Sequence, residues 1–157
     1  MQIPPETATP LKLWVVLNRA LRSIESRLAQ QVQAHGLSLT EFAVLEVLLH
    51  KGPLPIGEVG SRILLTSGSM TYVIDKLVQR GLIRREACPE DRRVIYAALT
   101  EQGRSLMEDV FPEHAELIRR LMSGLDPREQ EAAIDLLKRL GRYAEAYTAP
   151  DVETPSN

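Results

Sequence analysis

Apolar residues recur at steps of three and four along most of the chain and alternate in only one region. Trp14, Leu17, Leu21, Ile24 and Leu28 form a heptad-like stripe. It predicts a long helix over about 10–34, opened by Pro10 and ended at Gly36. So narrow a stripe suits packing against another helix. The Pro- and Thr-rich residues 1–9 are expected to be disordered. Ser38 or Thr40 caps a second helix with Phe42, Leu45, Leu48 and Leu49 on its buried side, and Lys51-Gly52-Pro53 stops it. Ile56, Val59 and Ile63 mark a helix of about two turns. Leu64-Leu65 then leads into Thr66-Ser67-Gly68-Ser69, a run of good helix caps. Met70, Val73, Ile74 and Leu77 follow at i, i+3, i+4 and i+7, with Ser69, Thr71, Tyr72, Asp75, Lys76 and Gln79 on the opposite face and Gly81 at the end.

Leu82–Ala87 and Val94–Leu99 are strand-like, and the polar turn Cys88-Pro89-Glu90-Asp91-Arg92-Arg93 between them predicts a hairpin with a charged tip. Thr100 caps a helix to about 124 with Leu106, Val110, Leu117, Leu121 and Met122 as apolar positions. Pro112 should kink it. Asp126-Pro127 starts a last helix, about 127–147, expected to bury Ala133, Leu136, Leu137, Leu140, Tyr143 and Tyr147. Residues 148–157 read as a disordered tail. The predicted class is mainly α with a small β-hairpin.

Composition narrows the chemistry. The 157 residues are 44% hydrophobic but only 4% aromatic, so aliphatic side chains must build the core. The single cysteine, Cys88, permits no intramolecular disulfide and fits a reducing, cytoplasmic setting. No signal peptide or apolar span is visible. His35, His50 and His114 lie far apart, without metal-ligand spacing. No phosphate loop, nucleophile elbow or carboxylate pair is present, and Glu41 and Glu46 have no visible partners. An enzyme is not expected, nor a cofactor or metal. The net charge is −2, yet residues 62–93 hold seven Lys/Arg against four Asp/Glu. That local cationic excess is compatible with a DNA footprint.

The order of elements supplies the functional reading. A short helix, a tight turn and a helix that begins with small polar residues form a helix-turn-helix, about 56–80. The second helix of such a pair enters the major groove and presents its first residues to base edges. Thr66, Ser67, Gly68 and Ser69 allow close approach, their N–H groups suit phosphate, and Thr71, Tyr72 and Lys76 lie one turn further on. An ordinary amphipathic helix with a solvated face would show the same pattern. The hairpin that follows, about 82–99, reads as the wing of a winged helix. Arg92 and Arg93 at its tip suit a narrow minor groove. Asp91 makes sense there as the partner that holds an arginine.

Asp91-Arg92-Arg93, followed by Leu99-Thr100 and Gly103, fits the D-x-R-x(5)-L-T-x-x-G signature of MarR-type regulators. Leu39-Thr40-Glu41-Phe42, Leu65–Thr71 and Leu77–Ile83 also resemble that family, and the resemblance covers about residues 10–147. CPEDRR and TSGSMTYVIDKL are most similar to its quinone- and hydroquinone-sensing branch. The resemblance implies a homodimer joined by the helices at about 10–34, 101–124 and 127–147, bound to pseudo-palindromic DNA and acting as a repressor. It matches Arg93 to the wing arginine, Asp91 to its support and residues 66–76 to the recognition helix, with Arg84 and Arg85 as phosphate contacts. It also implies release by a small aromatic, phenolic or quinone-like ligand, or by oxidation. Trp14, Leu17, His35, Phe42 and Tyr72 are candidates to line that pocket, although core packing explains each of them too. Cys88 is a candidate redox residue, or a passive strand residue. The competing reading is a winged-helix protein-interaction module that does not touch DNA, and the paired arginines speak against it.

Overall fold

A computed structural model describes residues 4–63, 67–88, 91 and 93–148. Six helices and three short strands follow in the order α1 (Pro5–Ala34), α2 (Leu39–Lys51), β1 (Leu54–Pro55), α3 (Ile56–Arg62), α4 (Ser67–Gln79), β2 (Ile83–Ala87), β3 (Ile95–Leu99), α5 (Glu101–Met122) and α6 (Pro127–Ala146). The chain divides into two compact units, one up to Ile118 and one from Arg119 onward. The class is the predicted one, mainly helical with a small antiparallel sheet.

Two boundaries differ from the sequence pattern. α1 begins at Pro5, not Pro10, so residues 5–9 are helical and Pro10 lies inside the helix. Pro5 occupies the first turn, where a missing N–H costs nothing, and so starts the helix earlier. The sheet also has a third strand. β1 pairs with β3 through Leu54↔Ala97 and Pro55↔Tyr96, giving the order β1-β3-β2. Two residues, one a proline, leave no alternation to read, and only the β3 edge makes them a strand.

The core of the first unit is aliphatic. Leu37, Phe42, Leu45 and Leu48 of α2 and its approach pack with Val59 of α3 and with Met70, Val73, Ile74 and Leu77 of α4. Ile83, Ala97 and Leu99 from the sheet and Met107 and Val110 of α5 complete the cluster. α4 therefore buries the face its periodicity predicts, and Ser69, Thr71, Tyr72, Lys76 and Gln79 remain exposed.

Local chemistry fixes the junctions. Ser38 and Glu41 form a reciprocal capping box: the Glu41 N–H donates to Ser38 Oγ (3.1 Å) and the Ser38 N–H donates to Glu41 Oε2 (2.7 Å). α4 stops at Gly81, whose φ of +71° is cheap only for glycine. There the Leu82 N–H reaches Leu77 O (3.0 Å) and the Gly81 N–H reaches Val78 O (2.9 Å), closing a Schellman turn that leads straight into β2. Thr100 caps α5 by accepting from the Gly103 N–H (3.0 Å), and its hydroxyl donates to Gly81 O (2.6 Å). A Cβ on Gly103 would lie 1.9 Å from the Leu82 carbonyl oxygen. The Leu-Thr-x-x-Gly run thus clamps the start of α5 onto the α4–β2 turn.

In the second unit Asp126 caps α6, accepting from the Arg128 and Glu129 N–H groups, while Glu129 accepts from the Asp126 N–H. The apolar residues of α6 do not find the burial that the sequence predicts. Leu136 is 56%, Leu137 50%, Leu140 42% and Tyr143 69% exposed. Their spacing is that of a buried stripe, yet they lie exposed among the described residues.

Candidate nucleic-acid interface

The helix-turn-helix and the hairpin stand where the pattern predicts them: α3 and α4, then β2 and β3. Thr66 and Arg92 lie outside the described residues. Ser67 and Gly68 form the first turn of α4, and Ser69, Thr71 and Tyr72 lie on its exposed face. The hairpin pairs in register from Ile83↔Leu99 to Ala87↔Ile95. Its end is closed by the Cys88 N–H on Val94 O (3.0 Å) and the Val94 N–H on Asp91 O (2.9 Å).

Asp91 grips Arg93 at three points. Arg93 Nε donates to Oδ1 (3.1 Å), Nη2 donates to Oδ2 (3.0 Å) and the Arg93 backbone N–H donates to Oδ1 (3.0 Å). A bidentate fork of this kind fixes the plane of the guanidinium. Its side chain is nevertheless 91% exposed. The hydrogen bonds from the Arg93 side chain and backbone hold the Asp91 carboxyl below its ordinary range, and Asp91 in turn raises Arg93. The result is an oriented cation presented at the tip of a hairpin.

The other described cations between residues 62 and 93 also have acidic partners. Arg62 meets Glu58 (2.7 Å), Lys76 and Arg80 meet Glu41 (3.0 and 3.3 Å), Arg84 meets Glu86 (2.7 Å) and Arg85 meets Asp75 (2.6 Å). Arg84 also donates to Leu99 O (2.7 Å), which ties the two wing strands together. The Arg85–Asp75 pair joins β2 to the exposed side of α4. Residue spacing had left Glu41 without a partner, and the structure corrects this. Its carboxylate is 2% exposed and serves three donors. Burial would raise its pKa, but the Ser38 N–H together with Lys76 and Arg80 outweighs burial and holds it below 4.5. The local Ser38-x-x-Glu41 spacing signalled the cap. The cations lie more than thirty residues away, beyond any local pattern.

The expected effector residues differ in their surroundings. Trp14 is 64% and Tyr72 70% exposed, whereas Phe42 is in the core. Phe42 packs on the His114 ring with centroids 4.2 Å apart. His35 Nε2 pairs with Glu113 (2.9 Å). The open cleft formed by Glu46, Val47, His50, Lys51 and Arg62 includes none of the five. In the sequence His114 is weighed only as a metal ligand. It is buried, its Nδ1 meets Gln31 Oε1 at 2.9 Å, and Gln31 Nε2 is left buried without a partner. Burial depresses the His114 pKa below 6.5, and the Glu46 charge offsets part of that shift. Cys88 is half-buried at the base of the hairpin turn. Among the described residues no group of His, Cys, Asp and Glu could hold a metal, and no single helix is long and apolar enough to cross a membrane.

Two successive helices, followed by a hairpin whose end holds an acid–arginine chelate, define a winged helix-turn-helix protein. Residues 37–95 match the MarR family. Over 141 residues the chain is 48% identical to the HTH-type transcriptional regulator MhqR of Bacillus subtilis (strain 168), covering 90% of this chain and 97% of that protein. The chain belongs to the MarR family. Its fold is shared with Sco3205 of Streptomyces coelicolor, a MarR family regulator solved in complex with DNA (TM-score 0.81, 22% identity, 97% of this chain and 95% of that one). It also resembles BpsR of Bordetella bronchiseptica, whose DNA binding is regulated by 6-hydroxynicotinic acid (TM-score 0.75, 26% identity, 83% and 98% covered). The relatives are named as transcriptional regulators and not as enzymes.

Proposed function

We propose that the protein is a repressor that binds pseudo-palindromic operator DNA as a homodimer and is released by a small aromatic or phenolic ligand. The observation that carries the DNA reading is the Asp91–Arg93 chelate. An exposed arginine held in one plane at the wing tip suits a narrow minor groove, where negative potential is enhanced. α4 would enter the adjacent major groove with Ser67, Gly68, Ser69, Thr71 and Tyr72, preceded by Thr66, towards the bases. Arg92 would join Arg93 on the wing, and Arg84 and Arg85 would meet phosphates by exchanging their acidic partners for them. The DNA complex of Sco3205 supports this arrangement by fold.

The exposed apolar positions of α1 and α6 support the homodimer. Leu13, Trp14 and Val16 on α1 and Leu136, Leu137 and Tyr143 on α6 are each at least half exposed. So many exposed large side chains mark an association surface. The aromatic-acid response named for BpsR supports a ligand of that class, with Trp14, Leu17 and His35 as the contacts to probe. A ligand that prefers the DNA-incompetent spacing of the two recognition helices lowers operator affinity by its differential affinity for the two states.

A gel shift with the promoter of the protein's own gene, at stated salt, tests the reading. Arg93→Ala should cost about 1–3 kcal/mol of DNA affinity. An unchanged affinity would remove the wing from the interface.

A further inference from the structure

A carboxylate removed from water must be paired and hydrogen-bonded. Glu41 meets that need by dividing its two oxygens. Oε2 accepts from the Ser38 N–H and belongs to the cap of α2. Oε1 receives Lys76 Nζ at 3.0 Å and Arg80 Nη1 at 3.3 Å, both from the last turns of α4. Lys76 and Arg80 are four residues apart and so share one face of that helix. The Arg80 guanidinium also lies against Gly36, 3.7 Å from where a Cβ there would sit. One buried carboxylate therefore joins the α1–α2 loop, the start of α2 and the C-terminal half of α4.

The cap itself does not need the charge. A capping box forms with glutamine as well as glutamate. What the charge adds is a hold on two cations of α4. Lys76, which the sequence pattern places among the DNA-facing residues, is turned towards Glu41.

We propose that Glu41 is a positioning residue for DNA recognition: its buried carboxylate sets the seat of α4 on α2 and withholds Lys76 from phosphate. This rests on α4 being the recognition helix. Base contacts discriminate only while the helix keeps its roll and depth in the groove, because side chains must meet base edges within a few tenths of an ångström. Phosphate contacts tolerate such a shift but carry no sequence information. Loss of the Glu41 charge therefore weakens discrimination more than total affinity. It also frees one lysine for a sequence-independent contact.

The test uses the full-length protein, a duplex enriched by the wild type from a random pool, and an unrelated duplex of equal length, titrated over a range of salt. Glu41→Gln keeps the capping box. It should lower the ratio of the two affinities about tenfold and leave binding to the unrelated duplex no weaker. Its salt slope should steepen by about 0.9, the value for one added phosphate contact. Adding Lys76→Met should cancel that steepening, and Lys76→Met alone should leave the wild-type slope unchanged. A merely structural role for Glu41 would lower both affinities together without moving the slope. If Lys76→Met alone reduces the slope by about 0.9, Lys76 is a phosphate contact and the proposal is overturned, whether or not Glu41→Gln folds. An unchanged ratio in folded Glu41→Gln overturns it as well. A wild type that enriches no duplex overturns the DNA-binding reading itself, and the seat of α4 with it.

Discussion

The lobe between Leu37 and Thr100 and the helix α6 satisfy their side chains in opposite ways. The lobe closes on itself: its aliphatic residues share one cluster, and its described cations from Arg62 to Arg93 each hold an acid of the same chain. α6 has a full capping box and a strongly amphipathic pattern, yet it buries no residue. Isolated helices of this length are marginal in water, because most helical stability comes from packing an apolar face. A well-capped helix with a bare apolar stripe offers the face that the proposed homodimer would cover. The lobe has what it needs to read a surface, and α6 has what it needs to be covered.

Breaking the uncovered side should have the largest effect. Leu137→Glu places a charge in the α6 stripe, and in the proposed symmetric dimer the lesion would occur twice. Losing the burial of two leucines costs roughly 3–6 kcal/mol, which weakens self-association on the order of a hundredfold or more. Sedimentation equilibrium measures it directly. A wild-type dissociation constant in this variant would place the partner surface elsewhere.

Where α5 meets the lobe, the most sensitive point is Gly103. Its α-carbon faces the Leu82 backbone so closely that a methyl group cannot fit beside the carbonyl oxygen. Backbone cannot swing aside as a flexible side chain would. Gly103→Ala should lower stability by about 3 kcal/mol in urea unfolding. A loss below about 1 kcal/mol would mean that the α5 clamp yields easily, and that the lobe is less self-contained than its contacts imply.

The same contrast explains what could be read from the chain. The α4 face was legible because Met70, Val73, Ile74 and Leu77 answer to a single buried side, and a period of 3.6 reports only that. The Asp91–Arg93 chelate was legible because its partners are two residues apart. β1 was not, since Leu54-Pro55 becomes a strand only through β3. Glu41 was not, since its cations arrive from a different helix. The stripe on α6 is legible as apolar and lies exposed in the single chain, because periodicity identifies a face to be covered and says nothing of which molecule covers it. Spacing alone does not separate the candidate effector residues from core residues, for a related reason. An aromatic or histidine at helical spacing marks the inner side of a helix, and both core and cleft lie on that side.

The smallest expected effect concerns His114, a buried titratable base on α5. His114 rests against Phe42 and Gln31, with the Glu46 charge nearby, and burial favours its neutral form. Its folded pKa therefore lies below the 6.5 of the unfolded chain. Above 6.5 both states leave the ring neutral and pH has no effect through it. As pH falls through that value the unfolded chain takes up a proton that the folded one refuses, so stability declines until the folded pKa is reached. The decline cannot exceed about 1.4 kcal/mol per pH unit for one proton. Glu41 acts in a separate window: its folded pKa is lowered, so its contribution is intact above 4.5 and is lost only in stronger acid. Urea midpoints measured at intervals from pH 7.5 to roughly 5 should thus fall more steeply in the wild type than in His114→Gln, whose side chain does not titrate. Parallel profiles would show that His114 is protonated as readily in the fold as out of it, and that this corner of the core admits water.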